Sequence, residues 1–126
     1  MTATDRALDL ALAAAQAAAD KQAVDVLILD VSDRLALTDC FVLASASNER
    51  QVGSIVDGVF DRLRDQGIKP LRREGESDRR WVLLDFGDVI VHVLHTEERE
   101  FYALERLWKD CPEVPFVDAA LPASQS

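Results

Sequence analysis

The stretch from Arg80 to His95 constrains this chain more than any other. Residues 80 to 86 and 89 to 95 are apolar, β-branched runs separated by Gly87-Asp88. That dipeptide suits the two-residue type II′ or type I′ turn of a β-hairpin. A two-residue turn fixes the register, so Phe86 pairs with Val89, Asp85 with Ile90, Leu84 with Val91, Leu83 with His92, Val82 with Val93 and Trp81 with Leu94. Side chains alternate between the faces of a strand. One face then carries Val82, Leu84, Phe86, Val89, Val91 and Val93, and belongs to a core. The other carries Trp81, Leu83, Asp85, Ile90, His92 and Leu94. A solvated sheet face is mostly polar, and this one is not. Either a helix of the chain covers it, with His92 and Asp85 satisfied locally, or the part around Trp81 and Leu83 meets another protein. A tryptophan flanked by leucine and ringed by charge has the make-up of an interface hot spot.

The remaining periodicities supply layers around that hairpin. Residues 5 to 22 read as an alanine-rich helix capped by Thr4. Residues 24 to 31 and 38 to 46 read as strands, the second apolar enough around Phe41 to Ala44 for burial on both faces. Val52, Ile55, Val56, Val59, Phe60 and Leu63 follow helical spacing over 48 to 66. Asn48 would cap that helix with Gln51 completing a capping-box-like pair, and Gly67 would end it. Residues 68 to 74 predict a short strand that Pro70 confines to an edge. Thr96 is placed to cap a last helix over 97 to 109, with Phe101, Leu104 and Trp108 on one stripe and Tyr102 facing sideways near Glu105 and Arg106. The fold class is therefore α/β: a single-domain sandwich with a mixed five-stranded sheet flanked by helices. The domain is expected over residues 1–111, with an extended or mobile tail over 112–126 that holds three prolines.

A chain of 126 residues is long enough for one core and too short for two. Its net charge of -9 leaves no basic excess for a face that neutralises phosphates. A negative surface favours a basic partner, or simply keeps a protein soluble. Arg72, Arg73, Arg79 and Arg80 form a basic cluster beside Glu74, Glu76 and Asp78, and read as a self-paired surface with at most a glancing contact to rRNA. Asp5 and Asp9 break any signal-peptide pattern, and no apolar run reaches the length of a membrane span. Two cysteines outside any C-x-x-C make no disulfide framework, which fits a reducing cytoplasm.

Enzyme chemistry finds little support. A metal-dependent nucleotidyltransferase needs a Gly-Ser turn followed by an Asp-x-Asp or Asp-x-Glu strand. Gly53-Ser54 lies inside the helix of residues 48 to 66, and no such strand follows. Asp88 is read as serving the turn. His92 and His95, three apart on a strand, point to opposite faces and cannot grip one metal together. No phosphate-cradling glycine loop is present. The expectation is a protein that is not an enzyme and uses no cofactor or metal.

Three segments carry a resemblance to a known family: Thr38 to Ser47 followed by Arg50-Gln51-Val52; Glu74-Gly75 followed by Trp81 to Val93; and Arg99 to Trp108. Over roughly residues 5 to 110 the chain resembles the ribosomal silencing factor (RsfS/Iojap) family. The resemblance implies a sheet like that of nucleotidyltransferases without the catalytic carboxylates. It implies binding to the large ribosomal subunit through its ribosomal protein fourteen, a basic partner, which blocks joining of the small subunit and damps translation when nutrients run short. A role in large-subunit assembly is the alternative it leaves open, with a small metal-dependent transferase a more distant one, and the mixed sheet face would also allow a homodimer that competes with ribosome binding. Carried over by position, the docking surface would use Trp81, Leu83, Asp85, His92, Tyr102 and Glu105.

Overall fold

The computed structural model describes residues 2–119. In chain order its elements are α1 (Asp5–Asp20), β1 (Val24–Asp30), β2 (Cys40–Ala46), α2 (Glu49–Asp65), β3 (Arg72–Glu74), β4 (Trp81–Asp85), β5 (Val89–His95), α3 (Thr96–Tyr102), α4 (Leu104–Leu107) and β6 (Glu113–Val114). The strands form one sheet in the order β3-β4-β5-β2-β1-β6. Among the described residues only β2 and β5 run parallel; the other pairs are antiparallel.

The hairpin has the register its turn demands. Trp81 pairs with Leu94, Val82 with Val93, Leu83 with His92, Leu84 with Val91 and Asp85 with Ile90. Phe86 N–H donates to the Val89 carbonyl at 2.9 Å and closes the turn. Gly87 takes φ +87° and Asp88 does not take a positive φ, which selects type II′ over type I′.

The two sheet faces are packed unequally. The face bearing Val82, Leu84, Val89, Val91 and Val93 lies under α1 and α2. Ala7, Ala11, Ala14, Ala15 and Ala18 are fully buried there, so α1 approaches closely, and Val52, Ile55, Val59 and Leu63 of α2 supply the bulk. Truncating a residue such as Leu63 in this layer destabilises by about 2–5 kcal/mol. The second face carries a smaller cluster of Leu29, Val31, Phe41, Leu43, Leu94, Leu104 and Cys111, with Trp81, Ile90 and Trp108 partly buried against it. Strand β2 is buried along its whole length, as a strand between both layers must be.

Helix α2 starts as its sequence dictates, with Asn48 Oδ1 accepting Gln51 N–H at 2.8 Å. The Gln51 side chain donates its amide N–H to the Gln22 carbonyl at 3.2 Å and ties α2 to the end of α1.

Three expectations are corrected. The sheet has six strands, not five. Asp30 N–H donates to the Pro112 carbonyl at 2.8 Å, and Glu113–Val114 then pair with Leu29 and Ile28 on the free edge of β1. Beyond it the chain stays on the domain: Phe116 packs against the larger core, and the Gln16 amide donates to Asp118 Oδ1 at 2.7 Å. Residues 120–126 of the expected tail lie outside the described residues. Second, the last helix is two helices. Ala103 adopts the left-handed conformation, φ 47° and ψ 53°, between α3 and α4. The break takes Phe101 off the stripe it was expected to share with Leu104 and Trp108, and leaves it 80% exposed. Third, the cap of α3 is His95 and not Thr96: His95 Nδ1 accepts Glu97 N–H at 3.1 Å.

Candidate functional site: an aromatic patch on the second sheet face

The second face is covered at its centre and left open at both ends. Leu104 and Trp108 close over Phe41, whose ring meets Trp108 edge-on at 5.1 Å between centroids. At one open end Trp81 projects from the first position of β4 and is partly exposed. The Tyr102 ring, half exposed at the end of α3, lies 5.0 Å from it between centroids. Phe101 stands edge-on to Tyr102, also at 5.0 Å. Leu83, partly exposed, is the next residue of β4 on this face. Each offset or edge-on aromatic pair contributes about 0.5–1.5 kcal/mol beyond its buried area. The patch is thus pre-ordered, apolar and open, as the centre of a docking surface is.

Charge rings it. Arg80, next to Trp81, donates to Glu98 of α3 at 2.8 Å and to Glu49 of α2 at 3.0 Å. The Arg80 guanidinium is held above its ordinary pKa, first by the hydrogen bonds it donates to Glu98 and Glu49. Away from the patch, Arg72 lies 2.8 Å from Glu74, and Arg73, set against Phe60 of α2, lies 2.6 Å from Glu76. Three of the four arginines in the basic cluster are therefore paired within the chain.

The six residues expected to dock do not all gather. Trp81, Leu83 and Tyr102 form the patch. Asp85 is at the far end of β4, where Oδ1 accepts Gly87 N–H at 2.8 Å and Oδ2 faces Arg72 at 3.7 Å. It holds the hairpin turn. Glu105 pairs with Arg99, which reaches Ser45 of β2. Trp81 pairs with Leu94, and Leu94 with Ser45, so two strand spacings, about 10 Å, separate the Trp81 row from that ion pair. His92 is buried at 7% exposure. Its Nδ1 accepts the Trp81 indole N–H at 3.1 Å, while its Nε2 has no hydrogen-bond partner among the described residues. Burial pushes its pKa down to about 4, so the ring is neutral. An unpaired buried donor of this kind costs about 1–3 kcal/mol.

Sequence reasoning missed the other open end of the face. There Leu35, Leu37, Leu71 and Ile90 line a groove of about 680 Å³, with Leu37 90% and Leu71 78% exposed. The signal present was the apolar run Leu35-Ala36-Leu37 between Arg34 and Thr38, outside any strand. Among the described residues no three His, Cys, Asp or Glu side chains are grouped to hold a metal ion, and no helix is long and apolar enough to cross a membrane.

These features define a class: an α/β domain with a mixed sheet, one face sealed by two helices and the other left partly open around aromatic rings. Known proteins narrow it. The family model described as "Ribosomal silencing factor during starvation" matches residues 4–126. The chain is 41% identical over 99 residues to the ribosomal silencing factor of Bacillus subtilis, covering 79% of this chain and 84% of the relative. It is 32% identical over 114 residues to the chloroplastic protein Iojap of Zea mays, covering 86% of this chain and 48% of that protein. A crystal structure from Chromobacterium violaceum superposes with a TM-score of 0.78 at 30% identity, covering 94% of this chain and 95% of that one. One from Bacillus halodurans gives 0.75 at 37% identity, covering 90% of this chain and all of the other, 100%. This chain belongs to the ribosomal silencing factor family.

Proposed function

We propose that this protein acts on the ribosome as a translational silencer. It binds the large subunit through ribosomal protein fourteen and sterically blocks joining of the small subunit, so that translation slows when nutrients run short. The observation that carries the reading is the half-exposed Tyr102 set at a tilt against Trp81 beside Leu83, an ordered apolar surface flanked by charge. Large aromatic anchors with a polar surround contribute most of the binding energy in protein interfaces. The net charge of -9 suits a basic ribosomal protein and speeds encounter with it. The role needs shape and no chemistry, and the cytoplasm is where it would act.

The experiment is co-sedimentation with purified large ribosomal subunits, wild type against Trp81→Ala. Binding by the wild type that is lost in a folded mutant supports the reading. Absence of wild-type binding overturns it. Adding small subunits to the bound complex then tests silencing directly: fewer joined ribosomes are expected, and undiminished joining would favour a role in large-subunit assembly instead.

A further inference from the structure

We propose that His92 is a positioning residue for the docking patch: its buried ring fixes the indole of Trp81 in the orientation a partner meets, although His92 itself touches no partner. The inference rests on the docking reading above and assigns the work within that surface.

The geometry carries it. Trp81 and His92 lie on the same face of neighbouring antiparallel strands, Trp81 opposite Leu94 and His92 opposite Leu83. They are diagonal neighbours, a separation that two long ring side chains can span. Trp81 Nε1–H donates to His92 Nδ1 at 3.1 Å. An indole N–H can only donate, so Nδ1 must be the bare nitrogen and the ring proton must sit on Nε2. Only this neutral tautomer can hold the indole, and burial favours the neutral ring.

His92 is itself buried and packed on its other side. Phe41 of β2 packs edge-on against it, with 4.8 Å between centroids and an interplanar angle of 72°. Trp108 backs Phe41 in turn. Rings therefore run in unbroken contact from Trp108 through Phe41, His92, Trp81 and Tyr102 to Phe101. From the buried Phe41 and His92 they lead out to the exposed Tyr102 and Phe101, and the Trp81–His92 step carries a directional hydrogen bond. As space filling, the imidazole is a poor choice. Its Nε2–H is buried without a partner among the described residues, and a phenyl ring would pack among Phe41 and Leu43 with no polar group of its own to strand. What the imidazole offers that a phenyl does not is an acceptor aimed at the indole. An anchor ordered before contact loses less freedom on binding, so the pair raises affinity without adding contact area.

The test begins on the unaltered protein. Nitrogen-15 NMR of the His92 ring is expected to show a proton on Nε2 and a bare, hydrogen-bonded Nδ1; the opposite tautomer overturns the proposal. His92→Phe then removes the acceptor and keeps a ring, whereas His92→Asn restores an acceptor near the Nδ1 position. With Trp108→Phe assigning the two indole signals, the Trp81 Nε1–H of His92→Phe is expected to lose its hydrogen-bonded shift and exchange faster with solvent. Co-sedimentation with purified large subunits should weaken about ten-fold, and His92→Asn should recover both readouts in part. A folded His92→Phe that binds as wild type, while Trp81→Ala does not bind, reduces His92 to core filling and overturns the proposal. Failure of the wild-type chain to bind subunits is a distinct result, since it overturns the docking reading and takes the role of His92 with it.

Discussion

Arg99 Nη1 donates a hydrogen bond to Ser45 Oγ at 2.9 Å, from inside the domain at the break between α3 and α4. Arg99 is only 8% exposed. Its Nε pairs with Glu105, so one buried guanidinium joins α3, α4 and the middle of the sheet across Ala103. The left-handed conformation of Ala103 is unfavourable for a residue with a Cβ, by about 1–2 kcal/mol. The Arg99 bonds offset it. They hold the end of α3 over the sheet, where Tyr102 reaches Trp81. Glu105, expected at the docking surface, instead braces the element that presents Tyr102.

Removing that brace should loosen both the fold and the patch. Arg99→Met is expected to lower stability by about 1.5–3 kcal/mol, the range for hydrogen bonds to charged groups. Ala103→Gly should act the other way, gaining about 0.5–1 kcal/mol by relieving the positive φ of 47°. Urea unfolding at neutral pH, followed by tryptophan fluorescence, measures both. A stabilising Arg99→Met would mean that desolvation of the guanidinium outweighs its bonds.

Acid should weaken the fold through His92 before the low-pKa carboxylates contribute. The ordinary pKa near 6.5 falls to about 4 in the folded state. Above pH 6.5 both states hold a neutral ring, and the stability is intact. As the pH drops toward 4 the unfolded chain takes up a proton that the folded chain refuses, so stability falls, by about 3 kcal/mol across the window. Asp20 and Asp30 have carboxyls held below the ordinary 3.8, Asp20 mainly by the Arg62 hydrogen bond and Asp30 by Ser32 and the Ala3 N–H acting against burial. Their stabilisation is lost only at still lower pH. Urea midpoints at pH 7 and pH 4.5 should therefore differ clearly in the wild type and much less in His92→Phe. An equal drop in both proteins would assign the acid sensitivity elsewhere.

What the sequence made legible was whatever local chemistry decides. A two-residue Gly-Asp turn permits one register, and all five pairs of β4 with β5 follow from it. Asn48 and the spacing of Val52, Ile55, Val56 and Val59 specify α2 on their own. The rest depends on partners far along the chain. Strand β6 has two residues and no periodicity, and forms because β1 offers a free edge and Pro112 a carbonyl. The break at Ala103 follows from bonds between Arg99, Ser45 and Glu105 that helical spacing does not encode. Alternation placed His92 on the correct face but gave no depth; Phe41 and Trp81 bury it. The patch of Trp81, Leu83 and Tyr102 was legible in part, because side-chain alternation placed the first two on the second face and helical spacing turned the third sideways, where the family resemblance also put it.

Gly75 bears on the same patch. It adopts φ +81° at the end of β3, and a Cβ there would lie 2.0 Å from the Trp81 carbonyl oxygen and 3.0 Å from its carbon. Backbone cannot yield as a flexible side chain can. Gly75→Ala should cost at least about 2 kcal/mol and displace the start of β4, changing the Trp81 fluorescence. Gly67, with φ +78° and no described residue within 4 Å of where a Cβ would lie, is the control. Gly67→Ala should cost about 1 kcal/mol through φ alone and leave Trp81 undisturbed. Equal losses at the two positions would show that the β3–β4 contact yields and that φ dominates.

The thiol of Cys40 should be inert until the chain unfolds. Cys40 is fully buried at the start of β2, opposite Asp30. Burial, and then the charges of Asp30 and Asp39, push its pKa up to about 12. The thiolate is the nucleophile, so at pH 8 only about one thiol in ten thousand is reactive even where reagent can reach it. In a Cys111→Ser variant, which leaves Cys40 as the one thiol, an aromatic disulfide reagent should react at the rate of unfolding. That rate should rise with urea and be insensitive to reagent concentration once the reagent is in excess. A fast reaction in water, proportional to reagent, would mean that the β1–β2 pairing opens locally. The bonds of Asp30 and Asp39 to the backbone of Ala3 and Thr4, each 3.0 Å, would then be too weak to hold α1 over that edge.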